Sequence, residues 1–159
     1  MKIYTKTGDL GETSTLKAQR ISKASLLIKA NGTVDELNAN LGFVVYKIGD
    51  KAIKKSLLRV QNELFDLGAD LSMGDISKNT SYKYKITRKL ELRLEEEIDK
   101  LEKSLPMLKN FILPGGSEIA SCIHIARSVC RRAERECVAL SQVEKINPFI
   151  LSYLNRLSD

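Results

Sequence analysis

Apolar residues recur along most of this chain in alternating steps of four and three. Between Ile53 and Leu71 they fall at Ile53, Leu57, Val60, Leu64, Leu67 and Leu71, the stripe of a helix that packs one side into a bundle. An earlier segment gives Ala30, Val34, Leu37, Leu41, Val44 and Ile48 in the same rhythm. A third gives Leu90, Leu94, Ile98, Leu101 and Leu105, and a fourth gives Ile119, Ile123, Ala126, Cys130, Ala133, Cys137 and Leu140. A short last helix is expected over Pro148 to Leu157, because the fixed φ of proline suits a first helical turn. Gly49 and Asp50 divide the first two helices. Residues 74–85 are polar and read as a loop. Residues 106–117 read as a connector ending in Gly115, Gly116 and Ser117, a serine able to cap the helix that follows. No strand pattern of any length competes. The pattern therefore predicts an all-α fold: one domain over residues 1–159, an antiparallel bundle of four long helices plus a short fifth, preceded by an extended Gly/Thr-rich N-terminal segment.

Composition narrows the function classes. The chain has 159 residues, of which 43% are hydrophobic, enough for one domain with a proper core. The longest apolar runs are too short to span a bilayer, and the first residues lack the basic flank and apolar core of a signal peptide. A formal net charge of +6 favours an anionic partner. Nucleic acid is a poor choice. It calls for an extended basic face interleaved with aromatics, whereas four Phe, five Tyr and no Trp are spread along this chain and acids are mixed among the bases. Cys122, Cys130 and Cys137 show no zinc-finger spacing, and Cys122 and Cys130 lie about two helical turns apart, too far for a disulfide. They read as buried thiols of a reducing, cytoplasmic protein.

Before the first helix stands "KTGDLGETST", Lys6 to Thr15. Gly8 and Gly11 let backbone amides converge on one spot, an anion cradle. Thr5, Thr7, Thr13, Ser14 and Thr15 offer hydroxyl donors, and Lys6 and Lys23 offer charge. The P-loop spacing is absent. The alternative is a Gly-Asp turn in a surface hairpin.

The fourth helix carries "HIARSVCRRAERE" from His124. One residue on from its apolar stripe stand His124, Arg127, Arg131, Glu134, Arg135 and Val138, about 100° around the helix. Arg127 and Arg131 are four apart, and like charges at that spacing oppose each other by a few tenths of a kcal/mol. An anion or a carboxylate should meet them. A solvated charged face is the alternative, and Arg132, Arg135 and Glu136 fit it. Asp35, one residue past Val34, is a chemically suitable partner between helices or between subunits. Its alternative role is that of an acid in the first turn of a helix near Thr33. His124, the sole histidine, lacks a second histidine or a cysteine pattern for metal binding, so protein metal ligands stay open.

"YTKTGDLGETST", "GTVDELNANLG", "FILPGGS", "HIARSVCRRAER" and "YLNRLSD" follow one another in this order. As a set they closely resemble the trimeric type of ATP:cob(I)alamin adenosyltransferase, over essentially the whole chain. The resemblance implies a helical-bundle homotrimer with active sites between adjacent subunits. It implies transfer of the 5′-deoxyadenosyl group of ATP, with Mg²⁺, to the cobalt of cob(I)alamin or a related corrinoid. Thr5, Lys6, Thr7 and Gly8, with Thr13, Ser14 and Lys23, match the triphosphate cradle. Arg131, Arg132, Glu134 and Arg135 match the ATP contacts of the fourth helix, and Asn155 one of the last helix. Asp35 and Arg127 match an interface ion pair bordering the corrinoid site, which His124 also faces. Phe111 matches the aromatic below the corrin; its alternative role is core packing beside Ile112 and Leu113. A corrinoid reductase and an adenosylcobalamin-dependent enzyme are the implied protein partners, with no nucleic acid and no membrane.

Three positions depart from the resemblance. Ala18 stands where a glycine is usual, Lys29 where an acid is common, and the last helix stops at Asp159 where relatives continue. The other functional reading is a non-catalytic nucleotide- or corrinoid-binding bundle, separated from the enzyme by an assay for adenosylcobalamin.

Overall fold

Residues 2–77, 81–107 and 109–159 are described by the structure, a computed structural model. Five helices account for the apolar stripes: α1 (Leu26–Lys47), α2 (Lys51–Met73), α3 (Arg88–Glu102), α4 (Glu118–Ser141) and α5 (Phe149–Leu157). α1 packs against α4 and α2, while α5 bridges α4 and α3. Ala30, Val34, Leu37 and Val44 of α1, Leu64 and Leu67 of α2, Ala133, Cys137 and Leu140 of α4, and Ile150, Tyr153 and Leu154 of α5 are at most 1% exposed. Most of the expected stripes thus face one another in a single core, while Ile53 and Ile123 are exposed.

Helix starts follow local chemistry. The hydroxyl of Ser25 accepts from the Ile28 amide, the carboxylate of Asp50 from Ala52 and Ile53, and the hydroxyl of Ser117 from Ala120. Each such cap stabilises its helix by about 1 kcal/mol. Pro148 is the residue before α5, one position earlier than expected, and contributes no side-chain cap.

Two expectations are corrected. The stripe of the third helix does not run its full length: α3 ends at Glu102, and Leu101 and Leu105 are 53% and 64% exposed. Leu105 precedes Pro106, whose ring disfavours helical backbone at the residue before it. The N-terminal segment also contains strand. β1 (Glu12–Ser14) pairs antiparallel with β2 (Arg20–Ser22), Thr13 opposite Ile21. Three residues a side are too few to show alternation, and the turn between them lacks its glycine. Thr15 and Gln19 close that turn through a 2.9 Å bond, the Ala18 amide donates to the Thr15 carbonyl at 2.9 Å, and Ala18 takes φ 55°. This is a type I turn followed by a left-handed residue, where glycine is the ordinary choice. The departure at Ala18 is therefore a strained position. The expected loop over 74–85 and connector over 106–117 hold where described; residues 78–80 and 108 lie outside the described residues.

Three buried carboxylates, absent from the sequence reading, organise the ends of the bundle. Asp70 is fully buried and accepts from the Tyr82 hydroxyl (2.8 Å), the Ile86 amide (2.9 Å) and Asn147 Nδ2 (2.7 Å). It pins the loop after α2 to the turn before α5, and burial beside this carboxylate pushes the Tyr82 hydroxyl well above its ordinary pKa. Glu63 accepts from Arg59 (2.9 Å), Arg93 (3.2 Å) and the Tyr153 hydroxyl (2.7 Å). Glu91 accepts from Arg88 (2.5 Å) and Ser152 (3.0 Å). Glu63 and Asp70 are in register with Val60 and Leu67 in steps of three and four. Charges inside the apolar stripe were the available signal.

Candidate functional site

Two separate surfaces hold most of the expected ATP-binding residues. The first is the N-terminal segment. Lys6 adopts φ 59°, a conformation that costs a residue with a side chain about 1–2 kcal/mol. The turns after it close through Asp9 N to Lys6 O at 3.4 Å and Gly11 N to Gly8 O at 3.2 Å. Two cations fasten this loop to the ribbon. Arg20 Nη2 donates to the Thr7 carbonyl at 2.8 Å, and Lys23 Nζ to the Gly8 carbonyl at 2.9 Å. A Cβ on Gly8 would lie 3.0 Å from Lys23 Nζ and 3.3 Å from the Glu12 carbonyl, so glycine is what lets the lysine close. Thr5 and Thr7 hydroxyls are 2.9 Å apart. Ser14 is also reached by Arg20 at 3.4 Å. Thr5, Lys6, Thr7, Ser14 and Lys23 are exposed, and Gly8 and Thr13 half-buried. A short ribbon thus carries the loop, and its hairpin turn lies at residues 15–19 rather than at the Gly-Asp pair. Arg20 was missed as part of it. The strand pairing that sets Arg20 across from Ser14 supplies its place, and no motif in the sequence announces it.

The second surface is the edge of α4 that meets α5. Glu134 accepts from Asn155 Nδ2 at 3.0 Å, and Arg131 Nη1 reaches Ser158 Oγ at 3.5 Å. Arg127 lines a small cavity of about 140 Å³ with Leu37, Leu41, Leu57, Leu157 and Asp159. Beneath this edge, burial pushes the thiols of Cys130 and Cys137 up to about 12, so they are inert neutral fillers of the core. Cys122 is only half-buried, and all three thiols are free.

The expected stripe on α4 divides. Arg132 lies on the opposite edge and pairs with Glu36 of α1. His124, Arg132 and Arg135 line an open cleft of about 520 Å³ with Pro114, Ile125 and Val129. Successive helical residues turn by about 100°, so the expected stripe, counted as i, i+3, i+7, i+10 and i+11 from His124, spreads over both edges once its width is drawn; Arg132 was expected on the solvated face. Lys29, the second departure, pairs with Glu136 at 3.1 Å, which gives a base its partner on the facing helix. Asp35 and Arg127 do not pair within the chain. The cross-helix ion pairs between α1 and α4 among the described residues are Lys29–Glu136, Glu36–Arg132 and Lys47–Glu118. Phe111 is wholly exposed, with Met107, Ile112 and Leu113 exposed around it. The core-packing alternative for Phe111 is therefore excluded.

Among the described residues, no hydrogen bond or ion pair joins residues 3–15 to α4 or α5. One chain presents the N-terminal loop and the α4–α5 edge as two unconnected surfaces.

The family profile described as cobalamin adenosyltransferase matches residues 3–159. The chain belongs to the cobalamin adenosyltransferase family. A corrinoid adenosyltransferase of Bacillus subtilis (strain 168) is 46% identical over 163 residues, spanning 100% of this chain and 82% of the relative. A cobalamin adenosyltransferase of Cupriavidus metallidurans is 41% identical, spanning 99% of this chain and 83% of the relative. Among solved structures, a phenylalanine-to-alanine variant of a PduO-type ATP:corrinoid adenosyltransferase from Lactobacillus reuteri, complexed with cobalamin and ATP, superposes with a TM-score of 0.91 at 40% identity, covering 99% of this chain and 87% of that one. An arginine-to-lysine variant from the same source, complexed with ATP, gives a TM-score of 0.90 at 38% identity, covering 99% and 88%. Family membership brings the two surfaces into one frame, since a cobalamin adenosyltransferase has both a nucleotide and a corrinoid to seat. No described helix is long and apolar enough to cross a membrane.

Proposed function

We propose that this protein transfers the 5′-deoxyadenosyl group of ATP to the cobalt of cob(I)alamin or a related corrinoid and releases triphosphate. The observation that carries the reading is the whole-length kinship just described, to proteins named for this reaction. The cobalt of the reduced corrinoid is the nucleophile. Its electron pair forms the Co–C5′ bond while the C5′–O bond breaks and its electron pair leaves with the triphosphate. The protein supplies no nucleophile. Its work is to hold cobalt, C5′ and the leaving oxygen in line and to meet charge as it develops on the triphosphate.

The residues divide that work. The loop of Thr5, Lys6, Thr7 and Gly8, with Thr13, Ser14 and Lys23, binds the triphosphate. Arg131, a fork on a rigid helix, takes two of its oxygens as the bond breaks, with Arg132, Glu134, Arg135 and Asn155 around the nucleotide. Mg²⁺ fits this set as an ion carried by the triphosphate, neutralising part of its charge. No cluster of three or more acidic, histidine or cysteine side chains capable of caging a metal occurs among the described residues, whereas hydroxyls and cations in the loop are suited to a metal–phosphate complex. Phe111 covers one corrin face, excluding water and a ligand there, which makes Co(II) easier to reduce. Asp35, Arg127 and His124 border that pocket.

The separation of loop and α4–α5 edge in one chain supports a site completed between protomers, and the resemblance implies that the active form is a homotrimer in which the loop of one protomer faces the α4–α5 edge of the next. Asp35 and Arg127 pair across the same boundary. Residues 1–159 act as one domain in it, in the cytoplasm. A reductase supplies the Co(I) state, and an adenosylcobalamin-dependent enzyme takes the product. The test is formation of adenosylcobalamin from ATP and chemically reduced cobalamin, followed by the loss of the Co(I) absorbance. Binding of both substrates without that product would favour a non-catalytic carrier.

A further inference from the structure

The short α5 is held by carboxylates that the reaction does not use. Nine residues without a side-chain cap do not make a stable helix alone. On one side of α5, Tyr153 is fully buried and its hydroxyl donates to Glu63 Oε2 at 2.7 Å. Ser152 donates to Glu91 at 3.0 Å, and Arg156 to Glu95 at 3.2 Å. Glu63 is itself fixed by Arg59 at 2.9 Å and Arg93 at 3.2 Å, and Arg59 reaches on to Glu97 at 2.5 Å. The carboxylate is therefore fully engaged in a buried network, the setting in which hydrogen bonds specify one arrangement most strongly. On the other side of α5, about 200° around from Tyr153, Asn155 holds Glu134, and Ser158 meets Arg131. Between the two sides, Cys130 Sγ donates to the Leu154 carbonyl at 3.4 Å.

We propose that the buried Glu63–Tyr153 hydrogen bond is a positioning contact for the nucleotide site, fixing the register of α5 so that Asn155 and Ser158 aim Glu134 and Arg131. Neither Glu63 nor Tyr153 touches substrate. A helix slides and rolls as a unit, so a shift at Tyr153 moves Asn155 and Ser158 together. The inference rests on the nucleotide reading of the α4–α5 edge given above.

Tyr153→Phe keeps the ring in its place and removes only the hydroxyl, while Arg59 and Arg93 still neutralise Glu63. The expected result is a rise of at least about fivefold in the KM for ATP, with the KM for the corrinoid within about twofold of wild type. The same rise should be smaller when Tyr153→Phe is made in an Asn155→Ala background, because the path through Asn155 is already lost and only the one through Ser158 remains. Asp50→Ala removes the cap of α2 and serves as a stability control; it should leave the KM for ATP unchanged. An unchanged KM for ATP in Tyr153→Phe overturns the proposal. So does an undiminished rise in the Asn155→Ala background, or an equal rise in Asp50→Ala. Calorimetric affinity for Mg·ATP needs no turnover and should show the same shift. A wild-type protein that binds ATP but makes no adenosylcobalamin would sink the enzymatic reading while leaving the Tyr153 comparison measurable.

Discussion

The α4–α5 edge and the N-terminal loop are both basic, yet they are built in opposite ways. Arg131 and Glu134 stand on a 24-residue helix whose other face is core, and Asn155 and Ser158 hold them from a second helix. Their stems are fixed before any ligand arrives. The N-terminal loop has almost no core. Ile3 and Leu10 are fully or nearly fully exposed, Lys6 is strained, and Lys23 spends its charge on the Gly8 carbonyl. A loop that uses its own cations as fasteners must release or share them when phosphate binds. Under the proposed function the difference divides the tasks: the rigid edge would serve the transition state, and the soft loop would serve capture.

The largest expected effect is at Arg131. Arg131→Lys keeps charge and loses the fork. It should lower kcat at least about tenfold, about 1.4 kcal/mol, with the helix intact by circular dichroism. Arg135→Lys, on the open cleft, should change kcat much less. Equal small effects would make the edge an ordinary charged face. Lys6→Ala comes next: it should raise the KM for ATP several-fold and leave the corrinoid KM nearly unchanged, since capture and chemistry are divided. A fall in kcat alone would reverse the assignment of tasks.

Alkaline pH separates the two regions through stability. The thiols of Cys130 and Cys137, raised by burial from 9.0 to about 12, stay protonated in the fold after they ionise in the unfolded chain. Their contribution is complete below about pH 9 and is lost as pH rises from there through about 12. Denaturant unfolding should show stability falling across that window, and a Cys130→Ala, Cys137→Ala double variant should show a shallower fall. The smallest effect is at Ala18. Ala18→Gly relieves a left-handed alanine and should add about 0.5–1 kcal/mol, read as a rise of about 2 °C in Tm, with the kinetics of Arg131→Lys untouched.

The helices were legible because their apolar spacing is regular over whole turns. Ser117 marked the start of the fourth helix as its cap, and Gly49 and Asp50 marked the division between the first two. The ribbon at Glu12–Ser14 was not, because three-residue strands have no period to read and Ala18 hides the turn. The buried carboxylates were not, because Glu63, Asp70 and Glu91 look like ordinary helix charges until Tyr153, Asn147 and Ser152 arrive from distant chain. The division of the α4 stripe escaped for a related reason: spacing fixes an angle, and only the packing of α1 and α5 says which neighbour each angle meets. The proposed site residues come from the resemblance of their motifs. Periodicity alone placed Arg127 and Arg131 at the border of the stripe, where an anion or carboxylate should meet them, and left Arg132, Arg135 and Glu136 to a solvated face.

The central claim is that the site is completed between chains, and subunit complementation tests it most directly. Protomers carrying Lys6→Glu, which sets a negative charge against the triphosphate, and protomers carrying Arg131→Ala should each be nearly inactive when assembled alone. Unfolded together in equal amounts and reassembled, they should recover about a quarter of wild-type activity, because a site taking Lys6 from one protomer and Arg131 from its neighbour is intact with probability one half for each. Mixed oligomers that form, shown by differential tagging, and yet recover no activity would contradict a site shared between protomers.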